Sequence, residues 1–64
     1  MINLIGVRFK DIQIGEEFEV YGDIYLNYNS PVLCRCLKIS NNQASELLGI
    51  NFYMDEEDAV YIKN

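Results

Sequence analysis

Three groups of residues in this 64-residue chain carry side chains able to do chemistry. The first is aromatic: Tyr21, Tyr25, Tyr53 and Tyr61, with the cations Arg35 and Lys38, could form a recognition platform. Tyrosine offers contact area and one hydroxyl at low entropic cost, and a ring beside a cation suits a nucleotide-like ligand. The second is acidic: Glu16-Glu17 and the run Asp55-Glu56-Glu57-Asp58 could meet a basic surface on another protein. The third is a pair of thiols, Cys34 and Cys36. On a strand they share one face, one pleat apart, at a Cα separation near the upper limit for a disulfide. A zinc site would need two further ligands, and the chain has no histidine and no other cysteine. Reduced, buried thiols that pack as small hydrophobes are expected, with a redox or intermolecular metal role as the alternative.

Catalysis finds few parts. With no histidine there is no ready general base, and no serine lies in a nucleophile elbow. No GxGxxG or Walker-type loop appears. The acidic run lacks the spaced ligands, the glycine and the terminal glutamate of an EF-hand calcium loop. The expectation is a chain without enzymatic activity, resident metal or cofactor.

The formal net charge is −5, from ten acidic and five basic residues. That opposes duplex-DNA binding, where lysine and arginine must neutralise phosphates. It permits the converse, an acidic surface that competes with nucleic acid for a basic protein. Solubility alone would also account for this modest acidity. Half the residues are hydrophobic, which excludes a disordered chain. No apolar run approaches the roughly 20 residues that cross a bilayer, and the amino terminus lacks the pattern of a secretion signal.

Period-two alternation of apolar residues supplies the elements that must position these groups. Met1 to Phe9 predicts a first or edge strand, and Lys10 to Glu17 a turn broken at Gly15. In that turn Asp11 can bond nearby backbone amides. Phe18 and Val20 on one side of Gly22-Asp23, and Ile24, Leu26 and Tyr28 on the other, predict a tight hairpin. Its turn would use a glycine at positive φ. Pro31 ends that strand, and Val32 to Ile39 resumes extended structure. Ser40 to Gln43 is a polar turn. Ala44 to Leu48 reads as a short strand in preference to a helical turn, followed by a strand over Ile50 to Met54. Asp55 to Asp58 is a solvated turn, and Ala59 to Lys63 a closing strand. Phe18, Val20, Ile24, Leu26, Ile50, Phe52, Val60 and Ile62 are assigned inward. Tyr21, Tyr25, Tyr53 and Tyr61 are assigned outward, either as ordinary cross-strand pairs or as the platform described above. The fold class expected is all-β: one domain over residues 1–64, a small antiparallel SH3-like barrel of five to seven short strands with room for one helical turn.

The spacing F-x-D-[LI]-x-x-G-x-x-F (Phe9, Asp11, Ile12, Gly15, Phe18), with Leu37-Lys38-Ile39-Ser40, Ala44, Gly49 and the acidic turn before a closing valine, resembles short proteins encoded by phages and prophages. Those carry the pattern on small SH3-like barrels, mostly of unknown function. The chain departs from it at Cys34 to Cys36 and after Pro31. The resemblance implies a viral or mobile-element protein acting in the cytoplasm of a bacterial host, and it brings no catalytic residues. Three readings follow. One is a non-enzymatic module, an inhibitor or accessory protein that docks to a host protein, with a defence protein among the candidates, through Glu16, Glu17, Asp55 to Asp58 and the tyrosines. A second is an oligomeric sponge holding a nucleotide-like ligand between subunits. A third is a virion accessory domain joined through its amino-terminal strand. Self-association, with two-fold symmetry as the commonest form, is expected under each.

Overall fold

The computed structural model describes residues 3–47 and 49–63, and in it the alternation becomes a single antiparallel sheet. The strands are β1 (Leu4–Arg8), β2 (Glu17–Tyr21), β3 (Leu33–Ser40), β4 (Gln43–Glu46), β5 (Asn51–Tyr53) and β6 (Ala59–Lys63). Their order across the six-stranded sheet is β1-β6-β2-β3-β4-β5. The chain is therefore a small all-β domain. Ala44 to Glu46 is strand, as expected. The expected ends of two strands, Met1 to Ile2 and Leu48, lie outside the described residues.

The sheet curls around one core. Phe18 and Val20 of β2 face Cys36 and Cys34 across the β2–β3 ladder, and all four are buried. Val60 of β6, Ala44 of β4, Phe9, Ile12 and Met54 complete the buried set, with Val7, Tyr25, Leu26, Tyr28, Phe52 and Ile62 packed against it. Phe9 meets Phe18 edge to face at 5.5 Å, the arrangement favoured by ring quadrupoles. β1 and β5 end the sheet, and no pairing joins them among the described residues.

One expected element is replaced. Gly22-Asp23 does not turn a hairpin: Gly22–Tyr25 forms a single helical turn, α1. Strand β2 instead pairs with β3, after a connection closed by the Gly22 amide donating to the Val32 carbonyl at 2.7 Å. Positive φ occurs at Gly15, Gly49 and Asn27, but not at Gly22. Gly22 is needed for space: a Cβ there would sit 2.5 Å from the Tyr28 ring and 2.9 Å from Cys34 Sγ. The helical turn also corrects two assignments: Ile24, assigned inward, is exposed, and Tyr25, assigned outward, packs against the core. Leu26, assigned inward, does pack against the core, as does Tyr28, but both reach it from a loop instead of a strand. Adjacent residues can share a side of a helical turn, which strand alternation forbids. Ile50, assigned inward, is also exposed.

The largest departure concerns Lys38, expected on a binding surface. It follows Cys34 and Cys36 on the inner face of β3 and is only 4% exposed. Its Nζ donates to the carbonyl oxygens of Phe9 (3.0 Å) and Ile12 (2.7 Å) and lies 4.4 Å from the Phe9 ring centre. Those carbonyls belong to the 3-10 turn Phe9–Asp11 and its boundary residue. The ladder continues past β2 here, since the Gly15 amide donates to the Lys38 carbonyl and the Lys38 amide to that of Glu16. Ile39 then bulges, because pairing to β4 shifts between Lys38 and Ser40.

Replacing Lys38 by methionine keeps the stem and leaves two carbonyls without their donor. A loss of roughly 2–4 kcal/mol in urea denaturation is expected, a large part of a small domain's stability. Gly22→Ala should lower the thermal midpoint well below that of Gly6→Ala. At Gly6 an added Cβ meets nothing closer than Tyr61 at 3.8 Å, so equal midpoints would contradict the tight packing around α1.

Candidate functional site

The outer face of β6, β2 and β3 brings the most functional groups together. Alternation that buries Phe18 and Val20 turns Glu17, Glu19 and Tyr21 outward. Tyr61 of β6 and Arg35 of β3 lie opposite Glu19 on its two sides, so Tyr61, Glu19 and Arg35 form a row across the sheet. Tyr21 and Tyr61 meet edge to face at 5.7 Å. Leu33 is the cross-strand partner of Tyr21, and Leu37 that of Glu17. An open pocket of about 430 Å³ lies here, with Glu16, Glu17, Glu19, Arg35, Tyr61 and Lys63 in its lining.

Glu19 is the unusual group of this face, since it is only 7% exposed. Lys63 Nζ stands 3.4 Å from its Oε1 and Arg35 Nε 4.0 Å, while Arg35 Nε lies 3.7 Å from Glu17 Oε1. These separations exceed the 2.7–2.9 Å of a charge-assisted hydrogen bond. The other oxygen, Oε2, is buried without a donor among the described residues. Both cations are half exposed, so solvent screens what they contribute.

The acidic run forms a turn, with Asp55, Glu56 and Glu57 exposed. Asp55 and Asp58 brace it: the Asp55 amide donates to Asp58 Oδ2 (2.9 Å) and the Glu57 amide to Asp55 Oδ1 (3.3 Å). The turn is docked on the 3-10 turn, since the Phe9 and Lys10 amides donate to the Asp58 and Glu56 carbonyls. Lys10 Nζ bonds Glu57 Oε1 at 2.8 Å, and Arg8 donates to the Glu57 carbonyl. That hydrogen bond from Lys10 to Glu57 holds the Lys10 ammonium above its ordinary pKa. Asp11 accepts from the Arg8 amide, the local turn bond expected of it.

The four tyrosines therefore do not make one platform. Tyr21, Tyr61 and Arg35 share the outer face. Tyr25 stacks at a tilt on Phe52, 5.8 Å away, and burial, followed by the neighbouring Asp58 charge, raises its phenol pKa. Tyr53 is 75% exposed on β5, at the far edge of the sheet. Lys38 is interior. Sequence reasoning missed Glu19 and Lys63. The outward position of Glu19 was legible between Phe18 and Val20, but its burial depends on strand β6 lying next to β2.

A second cluster lies on the inner face. Cys34 and Cys36 point the same way, are free and buried, and each donates a weak hydrogen bond along its own strand, to Val32 and Cys34 carbonyls. Glu46 of β4 faces Cys36 across the ladder, is 6% exposed, and has one oxygen without a donor among the described residues. Burial, then Cys34, Glu46 and Glu19, push the Cys36 thiol up to about 12. Burial and Glu46 raise Cys34 as well. Both are neutral thiols at pH 7, poor nucleophiles and poor metal ligands. Among the described residues no group of histidine, cysteine or acidic side chains could hold a metal ion.

Cys36 should accordingly resist alkylation by iodoacetamide at pH 8 until the protein is unfolded. Its raised pKa favours the folded state below about pH 8.5, the ordinary thiol value, and that contribution fades as pH climbs towards 12. The alkaline fall in thermal midpoint should therefore be shallower in Cys36→Ala than in the parent; parallel curves would count against it.

No protein-family model, curated protein or solved structure matches this chain.

Proposed function

We propose that this chain is a non-enzymatic binding module that docks to a basic surface of another protein. The observation that carries the reading is the placement of charge. Each of the five basic side chains is already engaged within the molecule. Arg8 and Lys10 bind the Glu57 residue, Arg35 and Lys63 flank Glu19, and Lys38 is interior. Asp23, Asp55 and Glu56 are exposed and meet no cation among the described residues. The exposed charge is net acidic, and Asp23, Asp55 and Glu56 carry a part of it that no nearby cation among the described residues offsets. An approaching basic protein feels attraction with little opposing charge.

The short-range part of the contact is assigned to the outer face of β6, β2 and β3. It offers the Tyr21–Tyr61 pair, exposed Leu33 and a carboxylate pocket. Aromatic groups held by neighbours make strong interface anchors because little freedom is lost on docking. The resemblance to short phage and prophage proteins supports a partner in a bacterial host and the role of an inhibitor or accessory protein. A nucleotide-like ligand is less favoured, because its phosphates would meet Glu16, Glu17 and Glu19 in the pocket lining and Lys38 is inaccessible.

Affinity capture from a bacterial lysate, followed by mass spectrometry of proteins and small molecules, identifies the partner. Raising salt from about 50 to about 300 mM is expected to weaken that complex about tenfold, mainly through slower association. Glu56→Lys should slow association, while Tyr21→Ala should speed dissociation. A complex indifferent to salt would remove the reading, and a co-purifying nucleotide would replace it.

A further inference from the structure

We infer that the pocket beside Glu19 receives a single arginine side chain of the basic partner, and this rests on the docking reading above. Glu19 lines the pocket with its side chain nine-tenths buried. Buried carboxylates ordinarily accept close N–H donors, because an unmet buried acceptor is destabilising. Here no hydrogen bond reaches the carboxylate among the described residues. The nearest cations stand off at 3.4 and 4.0 Å, and Oε2 has no donor. Among the described residues the site has no donor at close range, and it is open to one from outside.

Charge and shape select the donor. Glu16, Glu17 and Glu19 face Arg35 and Lys63 in the lining, three carboxylates against two cations, so one negative charge is uncompensated. Arg35 and Lys63 are half exposed and can swing towards water as a guest enters. Oε2 is closed off from solvent, so rotation about the soft terminal torsion of Glu19 has to turn it to the pocket as the guest enters. A guanidinium brings parallel donors that fit two carboxylate oxygens, and its flat face can lie on the Tyr61 ring. An ammonium is a hydrated point charge and makes neither contact as well. The pocket volume of about 430 Å³ falls inside the range that small guests occupy, roughly 300–1,000 Å³.

The test titrates the full chain with a blocked Gly-Arg-Gly peptide, and with the same peptide carrying citrulline, the neutral isostere, and reads backbone amide shifts by NMR. The arginine peptide is expected to move the amides of Glu17, Glu19, Tyr61 and Lys63 with an affinity on the order of millimolar. Citrulline should leave them still, and Glu19→Gln should weaken binding about tenfold. Equal responses to both peptides, silence at tens of millimolar, or an unchanged affinity in Glu19→Gln would each overturn the inference. Shifts confined to residues 55–58 would overturn the pocket while leaving the docking reading intact, whereas a salt-indifferent complex would fail the docking reading first. Should Glu19→Gln not fold, the two-peptide comparison on the parent chain decides alone.

Discussion

The buried ammonium of Lys38 is the constraint on which the rest of the structure depends. It reaches from the middle of β3 to the carbonyls of Phe9 and Ile12 and lies over the Phe9 ring. No carboxylate pairs with it among the described residues, so carbonyl dipoles and a ring face offset its desolvation, which is otherwise expensive. The consequences spread outward. Fixing Phe9 sets the ring that packs on Phe18. The same turn receives the acidic loop through the Phe9 and Lys10 amides, and that loop delivers the chain into β6. Since β6 lies between β1 and β2, one lysine indirectly sets where Tyr61 and Lys63 stand relative to Glu19.

The distribution of charge follows from the same arrangement. A domain of this size has little interior in which to hide polar groups, yet it buries Lys38, Glu19 and Glu46. Lys38 is well satisfied. Glu46 faces two neutral thiols, which donate only weakly and already bond along their own strand. Glu19 has two cations within reach, at 3.4 and 4.0 Å, both longer than a charge-assisted hydrogen bond. The carboxylates differ in setting, not in chemistry: Glu46 is on the inner face of the sheet, and Glu19 is on the outer face beside an open pocket. That difference is why one reads as packing and the other as a site.

Much of the fold was legible because alternation reports on burial wherever one face of a strand is covered. Phe18 and Val20, Cys34 and Cys36, and Val60 and Ile62 all follow it. Gly22-Asp23 misled because glycine was interpreted through its φ freedom, whereas its role is to leave room for Tyr28 and Cys34. A neighbour brought from elsewhere in the chain is invisible to local turn chemistry. Lys38 stood in the same alternation as Cys34 and Cys36, two positions further along. Its inward direction was available, but a charged residue is ordinarily exposed, and the carbonyls that satisfy it lie 26 and 29 residues away. The tyrosine platform failed for a related reason. Tyr25 left the strand pattern with α1, and the order of strands, unknown from sequence, carried Tyr53 to the opposite edge from Tyr61's neighbourhood.

Under the proposed docking to a basic partner, the two acidic regions suit different stages of the encounter. Carboxylates on the turn Asp55 to Asp58 act at a distance, and at physiological salt their field falls off over about 8 Å. They can orient a basic partner but fix no geometry, since exposed charges bind weakly. The row Tyr61, Glu19, Arg35 is the reverse: its charge is partly cancelled at long range and becomes available only when a donor displaces Arg35 or Lys63. Ladder pairing and the Tyr21–Tyr61 edge contact hold its side chains in place beforehand, so little ordering entropy opposes docking. Attraction without selectivity at one place, and selectivity with little attraction at the other, is a workable division for a domain too small to build a deep cleft.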